Sequence, residues 1–78
     1  MPRAAESAAA KAAHEPLSRA QFRVLTLLNL GLTTGEIAAA LNITHGTVRW
    51  HLNQIFGRLH ARNRTEAIVR ARELKLLP

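Results

Sequence analysis

Residues 45–64 hold the side chains best suited to contact another molecule, since they include four arginines and no acid. An exposed guanidinium can bind guanine O6 and N7 together, worth about 1–3 kcal/mol of discrimination, and a carboxamide can bind adenine N6 and N7. Arginines that reach only phosphates add affinity without sequence information. We therefore expect base contacts from Arg49 and Asn53 and phosphate contacts from Arg58, Arg62 and Arg64. The alternative is an ordinary solvated basic surface.

Trp50 and the histidines of this stretch each have two interpretations. Trp50 either meets a thymine methyl or sugar in a groove, or covers the exposed edge of the domain's own core, because an exposed tryptophan is uncommon. His45, His51 and His60 are six and nine residues apart, and the chain has no cysteine, so this spacing does not indicate a metal site. We instead expect His51 to form a hydrogen bond at the edge of the core.

Composition limits the class of protein. The 78 residues carry a formal net charge of +6, and residues 1–16 contribute none of it because Arg3 and Lys11 balance Glu6 and Glu15. A basic compact region predicts a polyanionic partner, with nucleic acid ahead of an anionic membrane. No apolar run approaches the roughly 20 residues of a membrane span, and the N-terminus does not resemble a signal peptide. The absence of cysteine fits a cytoplasmic protein without disulfides.

The chain divides into an alanine-rich tail, residues 1–16, and a helical domain, residues 17–78. Pro16 marks the boundary, because proline disfavours helix at the residue before it. Four helix starts follow, at Ser18, Thr33, Thr44 and Asn63. Three of them have Gln or Glu three residues later, as in a capping box, and Thr44 is a plain N-cap. The sequence therefore predicts an all-α, four-helix domain.

Apolar spacing assigns a core face to each predicted helix. The predicted helices run from about Arg19 to Leu30, from Thr34 to Leu41, over residues 45–60, and from Arg64 to Leu74. The expected core positions are Phe22, Val24, Leu25 and Leu28; Ile37, Ala38, Leu41 and Ile43; Val48, Leu52, Ile55 and Leu59; and Ala67, Ile68, Ala71 and Leu74. Gly31 and Asn42 suit left-handed turns. The second and third helices form a helix-turn-helix, whose second helix enters the DNA major groove.

Three motifs extend this interpretation. They are L-S-x-x-Q-x-x-V-L-x-L from Leu17, G-L-T-T-x-E-I-A-x-x-L-N-I-T-x-x-T-V-R-x-H from Gly31, and I-x-x-R-L-x-x-x-N-R-T-E-A-I from Ile55. Together they resemble the LuxR/FixJ-type (GerE-type) helix-turn-helix domain of bacterial transcription regulators. The resemblance covers about residues 17–77.

The resemblance implies a DNA-binding domain that regulates transcription, usually behind a sensing domain, as a dimer on an inverted repeat of double-stranded DNA. By position, it places base contacts on Arg49, Trp50 and Asn53, and phosphate contacts on Thr44, Thr47 and Arg58. The family's dimer contact lies on the fourth helix, where Val69 and Leu76 fall off the core stripe. No cofactor and no small molecule are expected for this chain.

The sequence departs from the family pattern at several positions. Ala20 and Gln21 replace a usual Arg-Glu pair, Gly35 replaces a common basic residue, Lys75 replaces a terminal glycine, and Trp50 stands where smaller side chains are common. Two alternatives stay open beside DNA binding in transcription: a protein-interaction module that dimerises with another regulator, and a sigma-factor-like promoter reader. An enzyme is not expected, because no nucleophile–base pair, metal cluster or phosphate loop is visible.

Overall fold

The computed structural model describes residues 17–78 as four helices, and this part of the chain contains no strand. The helices are α1 (Arg19–Asn29), α2 (Thr34–Leu41), α3 (His45–Arg58) and α4 (Arg64–Glu73). The predicted all-α, four-helix fold is confirmed, although α1 and α4 each end one residue earlier than expected and α3 ends two residues earlier. The predicted tail, residues 1–16, lies outside the described residues. Each helix described is too short or too polar to span a bilayer.

All four predicted N-caps are present. Ser18 and Thr33 form complete capping boxes, with Gln21 and Glu36 returning side-chain hydrogen bonds to the cap backbone. Asn63 Oδ1 accepts from the Glu66 N–H at 2.9 Å, but Glu66 accepts from the Arg62 N–H rather than that of Asn63. The capping box predicted at Asn63 is therefore wrong in its second half, because the Glu66 carboxylate reaches one residue further back.

The helices also share one way of ending. A backbone N–H just past each helix donates to a carbonyl five residues earlier, as in the Schellman motif. The residue before that donor takes a positive φ: Gly31, Asn42, His60 and Lys75. The left-handed turns predicted at Gly31 and Asn42 are confirmed. His60 and Lys75 adopt the same conformation without the help of glycine or asparagine, which the sequence did not indicate.

The core lies between α1, α2, α3 and α4 and consists of aliphatic side chains. Its most buried members include Val24, Leu25, Ile37, Val48 and Ile55, each with no exposed surface. Two predicted core residues are wrong, because Phe22 is 42% exposed and Leu74 is 57% exposed. The segments outside the helices instead supply Leu17, just before α1, and Leu77, after α4, to the core, and Gln21 is buried as well.

Two arginines of α4 fix this helix to the end of α1. Arg64 Nη2 donates to the carbonyl oxygens of Leu28 at 3.0 Å and Leu32 at 2.7 Å. Arg72 Nη2 donates to Asn29 Oδ1 at 3.2 Å. Carbonyls at a helix C-terminus carry partial negative charge, which favours a cation there. These contacts hold α4 against α1 beside the helix-turn-helix.

α2 and α3 form the predicted helix-turn-helix, with Asn42 (φ 55°, ψ 46°) at the turn. Ile43 N donates to Ala38 O at 3.0 Å, and Ile43 packs partly buried against the core. Of the three alanines 38–40, Ala38 alone is buried and joins the core, as predicted, while Ala39 and Ala40 are exposed.

Candidate nucleic-acid interface

α3 presents an exposed side that is set by its buried stripe. Val48 and Ile55 are fully buried and Leu59 is 2% exposed, so the opposite side of the helix faces outward. At 3.6 residues per turn, four positions lie farthest from the core. They are Gly46, Trp50, Asn53 and Gly57, and all four are exposed. We call these four residues the outer line of α3.

The two glycines keep this outer line narrow on either side of Trp50. A Cβ added at Gly46 or Gly57 would meet nothing within 4 Å, so neither glycine is required by packing inside the domain. Glycine in a helix costs roughly 0.5–1 kcal/mol relative to alanine. The helix therefore loses some stability while keeping its outer surface slim, an arrangement suited to entry into a groove.

Arg49 lies on one flank of this line, beside Asn53, which belongs to it. They line a surface cleft of about 360 Å³ with Thr34, His45, Leu52 and Phe56. The cleft runs from the start of α2 along the first three turns of α3, and no acidic residue lines it. The structure thus brings together two of the three predicted base readers, and it adds His45, to which the sequence assigned no role.

Trp50 projects from the centre of the exposed side, with 56% of its surface accessible. Its ring meets that of His51 edge to face, with centroids 5.3 Å apart. His51 Nδ1 is buried without a hydrogen-bond partner, so the hydrogen bond predicted for this side chain is wrong at Nδ1. The imidazole instead supports the inner edge of Trp50.

Thr44 and Thr47 form one hydrogen-bonded unit at the start of α3. Thr44 Oγ1 accepts from the Thr47 N–H at 3.1 Å, and the two hydroxyls are 2.8 Å apart. One hydroxyl proton is used between them, so the other can be donated to an external acceptor. Both residues are exposed, at the end of α3 whose backbone N–H groups favour anions.

The three predicted phosphate-binding arginines differ in their surroundings. Arg58 lies nine residues after Arg49, which at 3.6 residues per turn places it on the opposite flank of α3. Arg62 is exposed and pairs with Glu66 at 3.3 Å. Arg64 Nη2 is engaged by the carbonyls of Leu28 and Leu32 described above, which gives this side chain a structural contact, and its phosphate contact stays a prediction. Sequence spacing could not show this contact, because its partners lie 36 and 32 residues away.

The two residues predicted for the dimer contact, Val69 and Leu76, differ in their exposure. Val69 is 48% exposed, as predicted. Leu76 is partly buried against the core, so it is not the exposed residue that was expected. Leu74 is exposed instead, and Val69 and Leu74 lie on either side of Arg70 and Glu73, which border both of their surface clefts.

The pKa values of two carboxyl groups are lowered by their capping contacts. The Thr33 N–H, donating to Glu36 Oε1 at 2.8 Å, lowers the pKa of Glu36 below its ordinary value of 4.5. The pKa of Glu66 is lowered mainly by the Arg62 N–H. Residues 17–78 contain no cluster of His, Cys, Asp or Glu that could hold a metal ion.

Comparison with known proteins gives the class of this domain. Residues 15–71 match the family described as bacterial regulatory proteins, luxR family. The chain belongs to the luxR family. The resemblance stated from the motifs is confirmed, and the described residues form a LuxR-type helix-turn-helix DNA-binding domain of a transcription regulator.

Three similar proteins illustrate the match. The chain is 43% identical over 58 residues to the transcriptional regulatory protein DesR of Bacillus subtilis, covering 74% of this chain and 29% of DesR. It is 44% identical over 57 residues to the regulator AlkS of Alcanivorax borkumensis, covering 73% of this chain and 6% of AlkS. The crystal structure of the response regulator ChrA, from a heme-sensing two-component system, superposes with a TM-score of 0.78 at 33% identity, covering 99% of this chain and 39% of ChrA.

The chain therefore spans less than a third of DesR and a small part of AlkS. These relatives are named as transcriptional regulators, and no enzymatic family is indicated. The luxR assignment establishes the class of the domain. It leaves the contacts made by individual side chains to be argued from their geometry.

Proposed function

We propose that this domain binds double-stranded DNA sequence-specifically, with α3 in the major groove, and thereby regulates transcription. The observation that carries the proposal is the exposed side of α3. Gly46, Trp50, Asn53 and Gly57 form a slim outer line, arginines lie on both flanks, and residues 45–64 contain no acid. A major groove about 12 Å wide admits one α-helix.

Arg49 and Asn53 are the proposed base readers. They share one acid-free cleft beside the outer line, so both side chains can reach neighbouring base edges from the same flank. Guanine and adenine are the bases that suit a guanidinium and a carboxamide, respectively. Trp50, at the centre of the exposed side, offers an apolar ring edge to a thymine methyl or a sugar.

Phosphate contacts come from the two borders of the same surface. The Thr44–Thr47 unit offers a hydroxyl proton at the start of α3, and Arg58 lies on the flank opposite Arg49. Arg62, already paired with Glu66, is exposed and contributes positive charge near the end of α3. Such contacts fix the position of the protein on the duplex and make its affinity depend on salt.

The dimer contact is proposed for the outer side of α4. Val69 and Leu74 supply apolar surface, and Arg70 and Glu73 between them carry opposite charges. A twofold contact brings the same patch of two copies together, so Arg70 of each copy can face Glu73 of the other. Two copies of α3 related in this way would read the halves of an inverted repeat.

A second function is a protein-interaction module that dimerises with another regulator through α4. The exposed Val69 and Leu74 suit this function equally well. The acid-free exposed side of α3 would then have no use, which favours the DNA-binding proposal.

Selection of bound duplexes from a random pool tests the proposal directly. We expect an enriched half-site that contains guanine and adenine, repeated in inverted orientation at a fixed spacing. Binding that enriches no sequence, yet weakens steeply with salt, would leave only non-specific phosphate contacts. No binding to any duplex at low salt would favour the interaction module.

A further inference from the structure

His45 is an exposed residue of α3 to which the proposed function assigns no DNA contact. It is the first residue of α3, and its side chain lies over the first turn of α2. The imidazole atoms Cδ2 and Nε2 are both 3.9 Å from the position that a Cβ would take at Gly35. A Cβ at Gly35 would be in ordinary van der Waals contact with the ring, so the imidazole lies beside the first turn of α2.

The imidazole borders the same cleft as Arg49 and Asn53. Among the residues lining that cleft, His45 and Arg49 are the groups that carry or can acquire charge, and both would be positive. Glu36 is the acid of α2, and its carboxylate accepts from the Thr33 N–H at 2.8 Å. A proton on His45 would thus add a second positive charge to a cleft whose lining residues otherwise include one, Arg49.

We propose that His45 contacts a DNA phosphate in its protonated form, so that the affinity of this domain for DNA rises as the pH falls. This inference rests on the proposed function, because it requires the cleft to face DNA. Imidazole is the side chain that changes charge between about pH 5 and 8. A phosphate binds the charged form more tightly, so binding takes up a proton and acidification favours the complex.

The expected size follows from counterion release. One added phosphate contact makes the slope of log affinity against log salt steeper by about 0.9, which corresponds to roughly a five- to tenfold gain near 0.1 M salt. The effect applies once per bound protomer. The added phosphate contact changes two measurable quantities with pH: the affinity for DNA and the slope of log affinity against log salt.

The experiment measures binding of the whole chain to a fluorescent generic duplex, across a salt series, at about pH 8 and about pH 5.5. The variants are His45→Gln, which keeps a polar side chain without the charge, and His45→Lys, which carries charge at both pH values. His60→Gln is the matched control, since His60 is also exposed but lies beyond the other end of α3. Thermal unfolding of each variant confirms that it is folded.

We expect the wild type and His60→Gln to bind roughly five- to tenfold more tightly at the lower pH, with a salt slope steeper by about 0.9. His45→Gln should lose both changes, and His45→Lys should bind tightly at both pH values. Retention of the wild-type pH dependence by His45→Gln would overturn the role of His45 while leaving DNA binding intact. Absence of pH dependence in the wild type would overturn it as well, and absence of DNA binding at either pH would overturn the proposed function itself.

Discussion

Arg49 and Arg58 lie on opposite flanks of α3, so their removal should affect DNA binding in different ways. Arg49→Ala should cost about 1–3 kcal/mol of binding free energy on the selected site and relax the preference at one base pair. Arg58→Ala should weaken binding to every sequence and reduce the salt slope by about 1. Titration of both variants against the selected site and against a scrambled duplex gives the comparison. Equal losses on the two duplexes for both variants would contradict the division into base and phosphate readers.

The same two arginines show what sequence spacing can reveal about a residue. Periodicity identified the outward side of α3, because the apolar stripe Val48, Ile55 and Leu59 fixes which positions must be exposed. It could not identify the contacts of Arg64, because these are made to the carbonyls of Leu28 in α1 and of Leu32 in the turn after α1, which are distant in sequence. His45 was missed for a similar reason: its neighbour Gly35 belongs to α2, and contact between helices is set by the tertiary fold.

At the scale of the helix, Lys75 is a position where the chain can be stabilised. It adopts φ 61° after α4, a conformation that costs a residue with a Cβ roughly 1–2 kcal/mol and costs glycine little. Lys75→Gly should therefore raise the free energy of unfolding by up to about 1 kcal/mol, since greater freedom in the unfolded chain offsets part of the gain. Urea denaturation measures the difference.

Glu73→Gly is the matched control for that substitution. Glu73 is the last residue of α4, where glycine has no conformational advantage, so we expect a loss of about 0.5–1 kcal/mol. Destabilisation by both substitutions would show that the left-handed conformation at Lys75 carries no strain worth relieving.

The capping carboxylates make helix stability depend on pH. The pKa of Glu36 and that of Glu66 are lowered in the folded state by backbone N–H donors, so the charged forms favour folding. This contribution is present above the unfolded value of 4.5 and is lost as the pH falls through the lower folded values. We expect the melting temperature to fall on acidification from about pH 6 to about pH 3.

The double variant Glu36→Gln, Glu66→Gln tests the source of that decrease. Glutamine keeps an acceptor for the cap but does not titrate, so the melting temperature should change less with pH than in the wild type. Glu73→Gln serves as the control, because Glu73 caps no helix N-terminus. An unchanged acid dependence in the double variant would place its origin elsewhere in the chain.

Helix starts and ends were predictable to different degrees. The four N-caps were visible because Ser, Thr and Asn side chains bond within three residues of their own position. The turns at His60 and Lys75 were not, since neither residue favours a left-handed conformation. The exposure of Phe22 was also missed, because helical spacing placed it on the core stripe with Leu25 and Leu28, and spacing within one helix does not show how far other helices cover it.

At the scale of the whole molecule, the domain has two different exposed surfaces. One carries only positive charge, and the other combines both signs of charge with apolar side chains. The exposed side of α3 has no acid, whereas the outer side of α4 contains Arg70 and Glu73 between two exposed apolar residues. A surface of one sign suits a polyanion. A patch that carries both signs suits a second copy of itself, because a twofold axis can place each charge opposite its complement.

The charges of this patch can be tested by reversing them one at a time and then together, and measuring the dimer. Arg70→Glu would place acids at both positions 70 and 73, so a twofold contact would bring only like charges together and should weaken dimers. The exchange Arg70→Glu with Glu73→Arg restores opposite charges across the axis and should recover much of the dimer. Val69→Glu removes apolar surface instead and should disrupt dimers in either background, without unfolding the domain, because Val69 is 48% exposed.

Sedimentation of these variants, alone and on a duplex with two half-sites, measures the outcome. Recovery in the double exchange would locate the contact on α4, because a simple loss of helix stability would not be reversed by a second charge change. If the exchange associated no better than Arg70→Glu alone, Arg70 and Glu73 would not face each other across the axis. An unchanged mass for Val69→Glu would remove α4 from the contact altogether, and the half-site spacing of the selected DNA would then have to come from another surface.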